Sequence, residues 1–121
     1  IPKKFITTIQ APKIEFENQI KKAGLFSGKV SEIKITTLPN ENKLKIFSQS
    51  PEAGKNISFM GCSISGQAAE VSFNYKFLSD GLVKLKSSEV VLELSEDEGP
   101  GLLKPIGDSS YIYILMPIKS S

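Results

Sequence analysis

Apolar and polar residues alternate with a period of two in several short segments of the first half of the chain, a pattern typical of half-buried strands. We predict strands over residues 5–10, 32–38, 43–48 and 56–64, the last with a bulge at Gly61. Between the first two strands the apolar residues recur with helical spacing instead: Ile14, Phe16, Ile20 and Ala23. Pro12 suits the first turn of that helix, and Gly24 is its predicted end.

The second half repeats this order of elements. Strands are predicted over residues 70–74, 89–94, 102–106 and 111–118, and the third is expected at a sheet edge because Pro105 interrupts it. The helix between them is predicted over residues 75–86, with one apolar face formed by Phe77, Leu78, Leu82 and Leu85. The repeated order predicts an α+β fold of two βαβββ halves, with antiparallel sheets outside and both helices on one inner face.

The composition excludes several kinds of catalytic and metal-binding site. The chain has no histidine and one cysteine, Cys62, which excludes Ser-His-Asp and Cys-His arrangements, an internal disulfide and zinc sites built from these residues. A lone cysteine also fits a reducing cytoplasm. The net charge of +2 is too small to indicate nucleic-acid binding, so any DNA contact depends on where the lysines lie.

Length and the start of the chain bear on its organisation. The 121 residues fit a single domain over residues 1–121, and no hydrophobic run approaches the roughly 20 residues that a membrane helix needs. Because the chain starts at Ile1 without a methionine, we expect it to be a fragment of a longer protein.

The candidates for catalysis are few. Glu96, Asp97 and Glu98 form an acidic loop, and a carboxylate-based hydrolase is one alternative. Consecutive carboxylates in an extended loop do not converge on one point, and they lack the spacing of a divalent-cation site. We therefore expect no catalytic residues, no metal and no cofactor.

Two segments of the second half carry a resemblance to a known family. The first runs Phe-Asn-x-x-Phe-Leu-x-Asp-x-Leu over residues 73–82, and the second runs Ile-Leu-Met-Pro-Ile-Lys over residues 114–119. Together, at this separation, they resemble the C-terminal, third domain of the bacterial sliding clamp, the DNA polymerase III beta subunit. Leu25-Phe26-Ser27 and Ile1-Pro2 are similar to other parts of that domain.

The resemblance implies a replication processivity factor without catalytic activity. In the family, a ring-shaped homodimer encircles double-stranded DNA and holds DNA polymerases, the clamp loader and repair proteins through peptides of the type Gln-Leu-x-Leu-Phe. The resemblance also implies a pocket that binds such a peptide. Carried over by position, the residues that line this pocket are Thr7, Ile9, Val30, Asn74, Phe77, Pro100, Leu115, Met116, Pro117 and Ile118. From the residues alone, Asn74 is instead a helix cap, and Met116 and Ile118 are ordinary residues at the edge of a core. An unrelated α+β protein-interaction domain is the remaining alternative.

The resemblance also implies that the helices line the inner wall of the ring. Four lysines are expected at the helix ends: Lys21, Lys22, Lys84 and Lys86. In the ring they would contact DNA phosphates without sequence specificity. The alternative is that they only complement the negative ends of the helix dipoles. Leu25 and Phe26 are expected near the neighbouring subunit, with a role in the core as the alternative, while this chain alone is expected to be a monomer.

Three positions depart from the family pattern. Lys119 stands where arginine is usual, and Ser120 replaces a terminal leucine. Gly81 lies inside the second helix, where glycine costs about 1 kcal/mol relative to alanine unless close packing requires it.

Overall fold

The computed structural model describes residues 5–96, 99–107 and 111–118. In chain order the elements are β1 (Phe5–Pro12), α1 (Lys13–Gly24), β2 (Glu32–Leu38), β3 (Lys43–Ser50), β4 (Gly54–Gly61), β5 (Ser63–Gly66), β6 (Glu70–Asn74), α2 (Tyr75–Lys84), β7 (Glu89–Ser95), β8 (Gly101–Pro105) and β9 (Tyr113–Leu115). Short 3-10 turns at Gly28–Val30 and Pro39–Glu41 flank β2.

The strands form two antiparallel sheets. One has the order β5-β1-β7-β8-β9, and the other has the order β4-β3-β2-β6. The predicted α+β class with two antiparallel sheets and two helices is confirmed. The two halves do not simply join edge to edge, however, because each contributes its first strand to the other: β1 pairs with β7, and β6 pairs with β2. This exchange ties the halves into one unit.

The predicted single strand over residues 56–64 is wrong, because the chain changes sheets within it. Gly61 ends β4 rather than forming a bulge, and β5 begins in the other sheet at Ser63. The link is fixed by Asn42, whose carbonyl oxygen accepts from the Cys62 N–H at 2.9 Å and whose Oδ1 accepts from the Ile64 N–H at 3.3 Å.

Three further expectations need correction. The second helix ends at Lys84 because Leu85 is already extended (φ −79°, ψ 139°), so Lys86 lies outside it. Strand β8 is not an edge strand, since it lies between β7 and β9, and Pro105 is tolerated as its last residue. The final strand is also shorter than predicted: β9 covers only Tyr113–Leu115.

The helices pack against each other in opposite directions. The N–H of Lys13, at the start of α1, donates to the carbonyl of Ser88, just beyond the end of α2, at 2.9 Å. At the other end, Gly24 of α1 lies against the ring of Tyr75, the first residue of α2. Both helices bury apolar side chains in the common core: Phe16 and Ile20 from α1, and Leu78 and Leu82 from α2. Phe77, predicted on the buried face, is instead 58% exposed.

At Gly81 the helix α2 lies close against the five-stranded sheet. A Cβ atom built on Gly81 would lie 2.8 Å from Cδ1 of Tyr113 and 3.0 Å from Cδ2 of Leu103. Because real Cβ atoms rarely approach so closely, glycine at this helical position allows the helix to sit on β8 and β9.

Candidate functional site

Residues 116–118, called the tail below, follow β9 and connect the two sheets. The tail leaves the five-stranded sheet, and the N–H of Ile118 donates to the carbonyl of Ser72 in β6 at 2.8 Å. Strand β6 is the edge of the four-stranded sheet, so the tail lies along that edge. Pro117 has no N–H and cannot donate a further ladder bond, which suits a segment that passes from one sheet to another.

The tail approaches the end of β6 that leads into α2. Asn74, two residues after Ser72, caps this helix: its Oδ1 accepts from the Lys76 N–H at 2.9 Å. The hydrogen bond from a backbone N–H identifies the capping atom as oxygen, so the amide NH₂ of Asn74 is the group left to donate. The cap expected from the residues alone is therefore present, and within the described part of the chain the NH₂ group has no hydrogen-bond acceptor.

Two other expected residues approach the same region. Gly101 pairs with Leu115 as the last pair of the β8–β9 ladder, so Pro100 and Met116 are the chain neighbours of this pair just beyond the end of the sheet. Phe77 lies one helical turn before Gly81, on the stripe of α2 that faces β9. Large apolar side chains project to solvent here, since Phe77 is 58% exposed and Met116 is 63% exposed.

A cleft of about 370 Å³ lies beside the tail, between the edge of β6 and the ends of β1 and β7. Its apolar lining includes Ile6, Leu94, Pro117 and Ile118, with Ala69 and Val71 from the β6 side. Its polar lining includes Ser72, Ser95 and the charged side chains of Lys34, Glu70 and Glu96. The cleft is thus continuous with the tail but more polar than the surface around Met116.

Four of the expected wall residues do not belong to this exposed surface. Thr7, Ile9 and Leu115 are 1%, 0% and 2% exposed, so in this conformation they are interior residues rather than contacts for a ligand. The Thr7 hydroxyl is also occupied, because it donates to the carbonyl of Gln67 at 2.7 Å. Val30 is 66% exposed, but it lines a separate depression of about 230 Å³ beside Phe47.

Residues that sequence reasoning missed lie close to the tail. Ile114 is 54% exposed because side chains alternate along β9, which turns Leu115 inward and its neighbours outward. Residues 111–116 form a continuous apolar run, so the sequence pattern did not distinguish the exposed Ile114 from the buried Leu115. Lys34 and Ser72 line the cleft only because β2 and β6 pair. No local sequence pattern predicts that pairing.

The four lysines expected to face DNA form two separate pairs. Lys21 and Lys22 are exposed at the end of α1, and Lys21 Nζ lies 3.0 Å from Oε2 of Glu17. Lys84 and Lys86 are exposed near the end of α2, where Lys84 Nζ lies 5.6 Å from the ring centre of Tyr113. Because the helices are antiparallel, the two pairs lie at opposite ends of the helical layer.

The residues expected at a subunit contact follow α1. Leu25 is 78% exposed, whereas Phe26 is half-buried. The turn beneath them is fixed by Ser27, a buried residue whose hydroxyl donates to the carbonyl of Gly24 at 2.8 Å. An exposed leucine on a rigid turn is suited to contact another molecule.

The structure describes only one residue of the expected carboxylate loop. Glu96 is exposed, while Asp97 and Glu98 lie outside the described residues. The described part of the chain contains no group of three or more His, Cys, Asp or Glu side chains arranged to hold a metal ion. Within the same residues, neither helix combines the length and apolar character needed to cross a membrane.

A family model and the related proteins that match this chain agree on one family. The model of the DNA polymerase III beta subunit, C-terminal domain, matches residues 1–119. The beta sliding clamp of Synechocystis sp. is 25% identical over 120 residues, which cover 98% of this chain and 31% of that protein. The beta sliding clamp of Staphylococcus aureus (strain Mu50) is 30% identical over 109 residues, or 88% of this chain and 28% of that protein.

The fold agrees with the same family. The crystal structure of the DNA polymerase sliding clamp from Bacillus subtilis superposes with a TM-score of 0.93 at 27% identity, over 100% of this chain and 32% of that chain. This chain thus spans about a third of the length of the relatives it matches. With nearly its whole length matched, the chain belongs to the family of the DNA polymerase III beta subunit, C-terminal domain.

Proposed function

We propose that this chain is the third domain of a sliding clamp, which holds DNA polymerases, the clamp loader and repair proteins on DNA through their short peptide motifs. The observation that carries the peptide-binding part is the seating of the tail on β6, which brings Pro117 and Ile118 towards the strand end that bears Asn74. In the longer protein the domain would contribute to a homodimeric ring and act in the cytoplasm. It would perform no catalysis itself.

The peptide site that we propose is smaller than the set expected from the resemblance. It consists of Asn74, Phe77, Pro100, Met116, Pro117 and Ile118. The exposed side chains of Phe77 and Met116 supply apolar area for the leucine and phenylalanine of a partner peptide, and methionine adapts to different partners. The NH₂ group of Asn74 supplies a donor for a peptide carbonyl. Thr7, Ile9 and Leu115 support this surface from the interior, and Val30 is left out.

An NMR titration with a Gln-Leu-x-Leu-Phe peptide tests the site. We expect amide shifts concentrated at Asn74, Phe77 and the tail. Phe77→Ala and Met116→Ala should each weaken binding about fivefold or more, because both remove apolar contact area. Val83→Ala is the matched control, since Val83 is a 49% exposed apolar residue of the same helix. Equal effects of all three variants, or shifts elsewhere, would contradict the proposed site.

The DNA contact that we propose is electrostatic and shared between the two lysine pairs. Pairs at opposite ends of antiparallel helices would touch phosphates at separate points, which gives affinity without sequence preference. In the full ring, replacing Lys22 and Lys86 by glutamine should therefore weaken DNA binding for all sequences alike and reduce its salt dependence. Unchanged salt dependence would remove these lysines from the contact.

The subunit contact that we propose involves Leu25. In the full-length protein, Leu25→Asp should shift the dimer towards monomer in light scattering, because the exposed leucine would lose its apolar contact and bring a charge into the interface. A dimer as stable as the unchanged protein would remove Leu25 from the interface. The hydrolase alternative gains no support, because Glu96 is exposed and no metal-ligating cluster accompanies it in the described residues.

A further inference from the structure

Helix α1 carries a row of three charged side chains along one flank. Glu17 lies one turn after Lys13 and one turn before Lys21. Its Oε1 is 3.4 Å from Nζ of Lys13, and its Oε2 is 3.0 Å from Nζ of Lys21. Each oxygen of the carboxylate therefore contacts a different ammonium group, so that a single glutamate engages two lysines.

The row lies on the flank of α1 that faces α2. Gly24, two turns after Glu17 on the same side of α1, contacts the ring of Tyr75 in α2. At the other end, the backbone N–H of Lys13 donates to the carbonyl of Ser88, just beyond the end of α2. The row therefore runs between the two lysine pairs of the helical layer. It is about 12 Å long, because each residue of a helix rises roughly 1.5 Å.

The carboxylate restrains both lysines in this conformation. The side chains of Lys13 and Glu17 are 15% and 14% exposed, whereas that of Lys21 is 56% exposed, so an approaching phosphate reaches Lys21 first. The hydrogen bond from Lys21 is the main reason why the pKa of the Glu17 carboxyl lies below its ordinary value of 4.5, and the group is charged at neutral pH. A DNA phosphate must therefore displace an ionised carboxylate from Lys21.

We propose that Glu17 competes with DNA phosphates for Lys13 and Lys21 and so keeps the DNA contact of the helices weak. The proposal rests on the DNA contact proposed above, to which it adds Lys13 and a carboxylate that limits affinity. Contacts to phosphates supply the sequence-independent part of DNA affinity, so two lysines held by a carboxylate contribute less than two released ones. A weak contact suits a ring that slides.

Glu15 offers a matched control on the same helix. It is exposed and forms no salt bridge among the described residues. Two residues of a helix correspond to about 200° of rotation, so Glu15 lies on a different side of α1 from Glu17. Glu15→Gln therefore removes the same charge from the same helix without releasing a lysine. Glutamine and glutamate have similar helix propensities, so both variants should remain folded.

Titration of the full-length protein with a short fluorescent DNA duplex at several salt concentrations tests the proposal. Glu17→Gln should tighten binding about threefold or more, and the plot of log K against log salt concentration should become steeper by about 0.9 for each released lysine that contacts a phosphate. Glu15→Gln should change the affinity by less than about twofold and leave this slope unchanged. If Glu17→Gln binds DNA as the unchanged protein does, or more weakly, the proposal is wrong.

A further set of variants separates competition from a general change in charge. In a protein that carries Lys13→Gln and Lys21→Gln, the additional change Glu17→Gln should no longer steepen the salt dependence, because no lysine is left for Glu17 to release. An equal gain in both backgrounds would show that Glu17 acts only through the net charge of the surface, and it would also overturn the proposal.

The outcomes distinguish the two proposals. If Glu17→Gln has no effect while replacement of Lys22 and Lys86 reduces the salt dependence, the DNA contact stands and the competition is wrong. If neither change alters DNA binding, the contact through the helices falls, and the proposed role of Glu17 falls with it.

Discussion

Replacement of Asn74 separates its two roles, because the capping oxygen and the remaining NH₂ group are different atoms. The oxygen accepts from Lys76 N–H at 2.9 Å and satisfies one of the free donors at the start of α2. Asn74→Ala removes both atoms, so it should lower the free energy of unfolding by about 1 kcal/mol. For a domain of this size, that loss corresponds to a fall in Tm of about 3–6 °C.

Asn74→Asp keeps the capping acceptor and removes the NH₂ donor. A carboxylate at a helix N-terminus also interacts favourably with the helix dipole, so Tm should stay the same or rise. The peptide, however, should lose one hydrogen bond and bind about three- to tenfold more weakly. Urea unfolding followed by circular dichroism and peptide titration by NMR measure the two effects separately.

Either measurement can refute this reasoning. If Asn74→Ala is as stable as the unchanged chain, the hydrogen bond to Lys76 N–H does not stabilise α2. If Asn74→Asp binds the peptide with unchanged affinity, the amide NH₂ makes no contact with it. In that case Asn74 is a helix cap only, as its residue type and position alone indicate.

The remaining predictions concern packing and a partly buried thiol. Gly81→Ala should destabilise the chain by about 1 kcal/mol in urea unfolding, because overpacking against the sheet outweighs the gain in helix propensity, whereas Gly61→Ala, with open space around it, should not. Ser48→Ala should cost about 1 kcal/mol, since the buried Ser48 hydroxyl donates to the carbonyl of Ala23 at 2.6 Å and its loss leaves that carbonyl with only its backbone partner, the Phe26 N–H at 3.0 Å; a Tm equal to that of the unchanged chain would contradict this. Burial raises the pKa of the Cys62 thiol from 9.0 to about 11, so alkylation at pH 8 should be about 100-fold slower in the folded than in the unfolded chain, and comparable rates would show that the thiol is not desolvated. Because the folded pKa is the higher one, this thiol's effect on stability is constant below pH 9, and stability should fall as pH rises from 9 towards 11.

Local sequence patterns were sufficient to predict the bounds of an element where those bounds depend on the element's own residues. The strand predicted over residues 32–38 has the same bounds in the structure, because its alternation matches burial at every second residue. The start of α2 at Tyr75 was predictable from the capping chemistry of Asn74. The end of α2 was not, because Leu85 has a side chain compatible with the helix and leaves it only to join the core as extended backbone.

The candidate site remains a prediction from the resemblance, and which of its residues lie at the surface could not be read from the sequence. The resemblance brought together Asn74, Phe77 and residues 116–118, and the structure places Asn74 and the tail along one strand. It also included Thr7, Ile9 and Leu115, whose apolar or small side chains do not reveal whether they face the solvent or the interior. Exposure depends on which sheet covers a strand, and that is a property of the assembled fold.

The sequence by itself determined the α+β class, the two repeated halves and the absence of histidine chemistry, because these follow from periodicity and composition. The tertiary structure decided that the halves exchange their first strands, that the chain changes sheets at Cys62, and that the tail lies on the edge of β6. Each of these depends on hydrogen bonds between residues far apart in the chain. Backbone groups are the same in every residue, so the side-chain pattern along the sequence does not specify which strands they join.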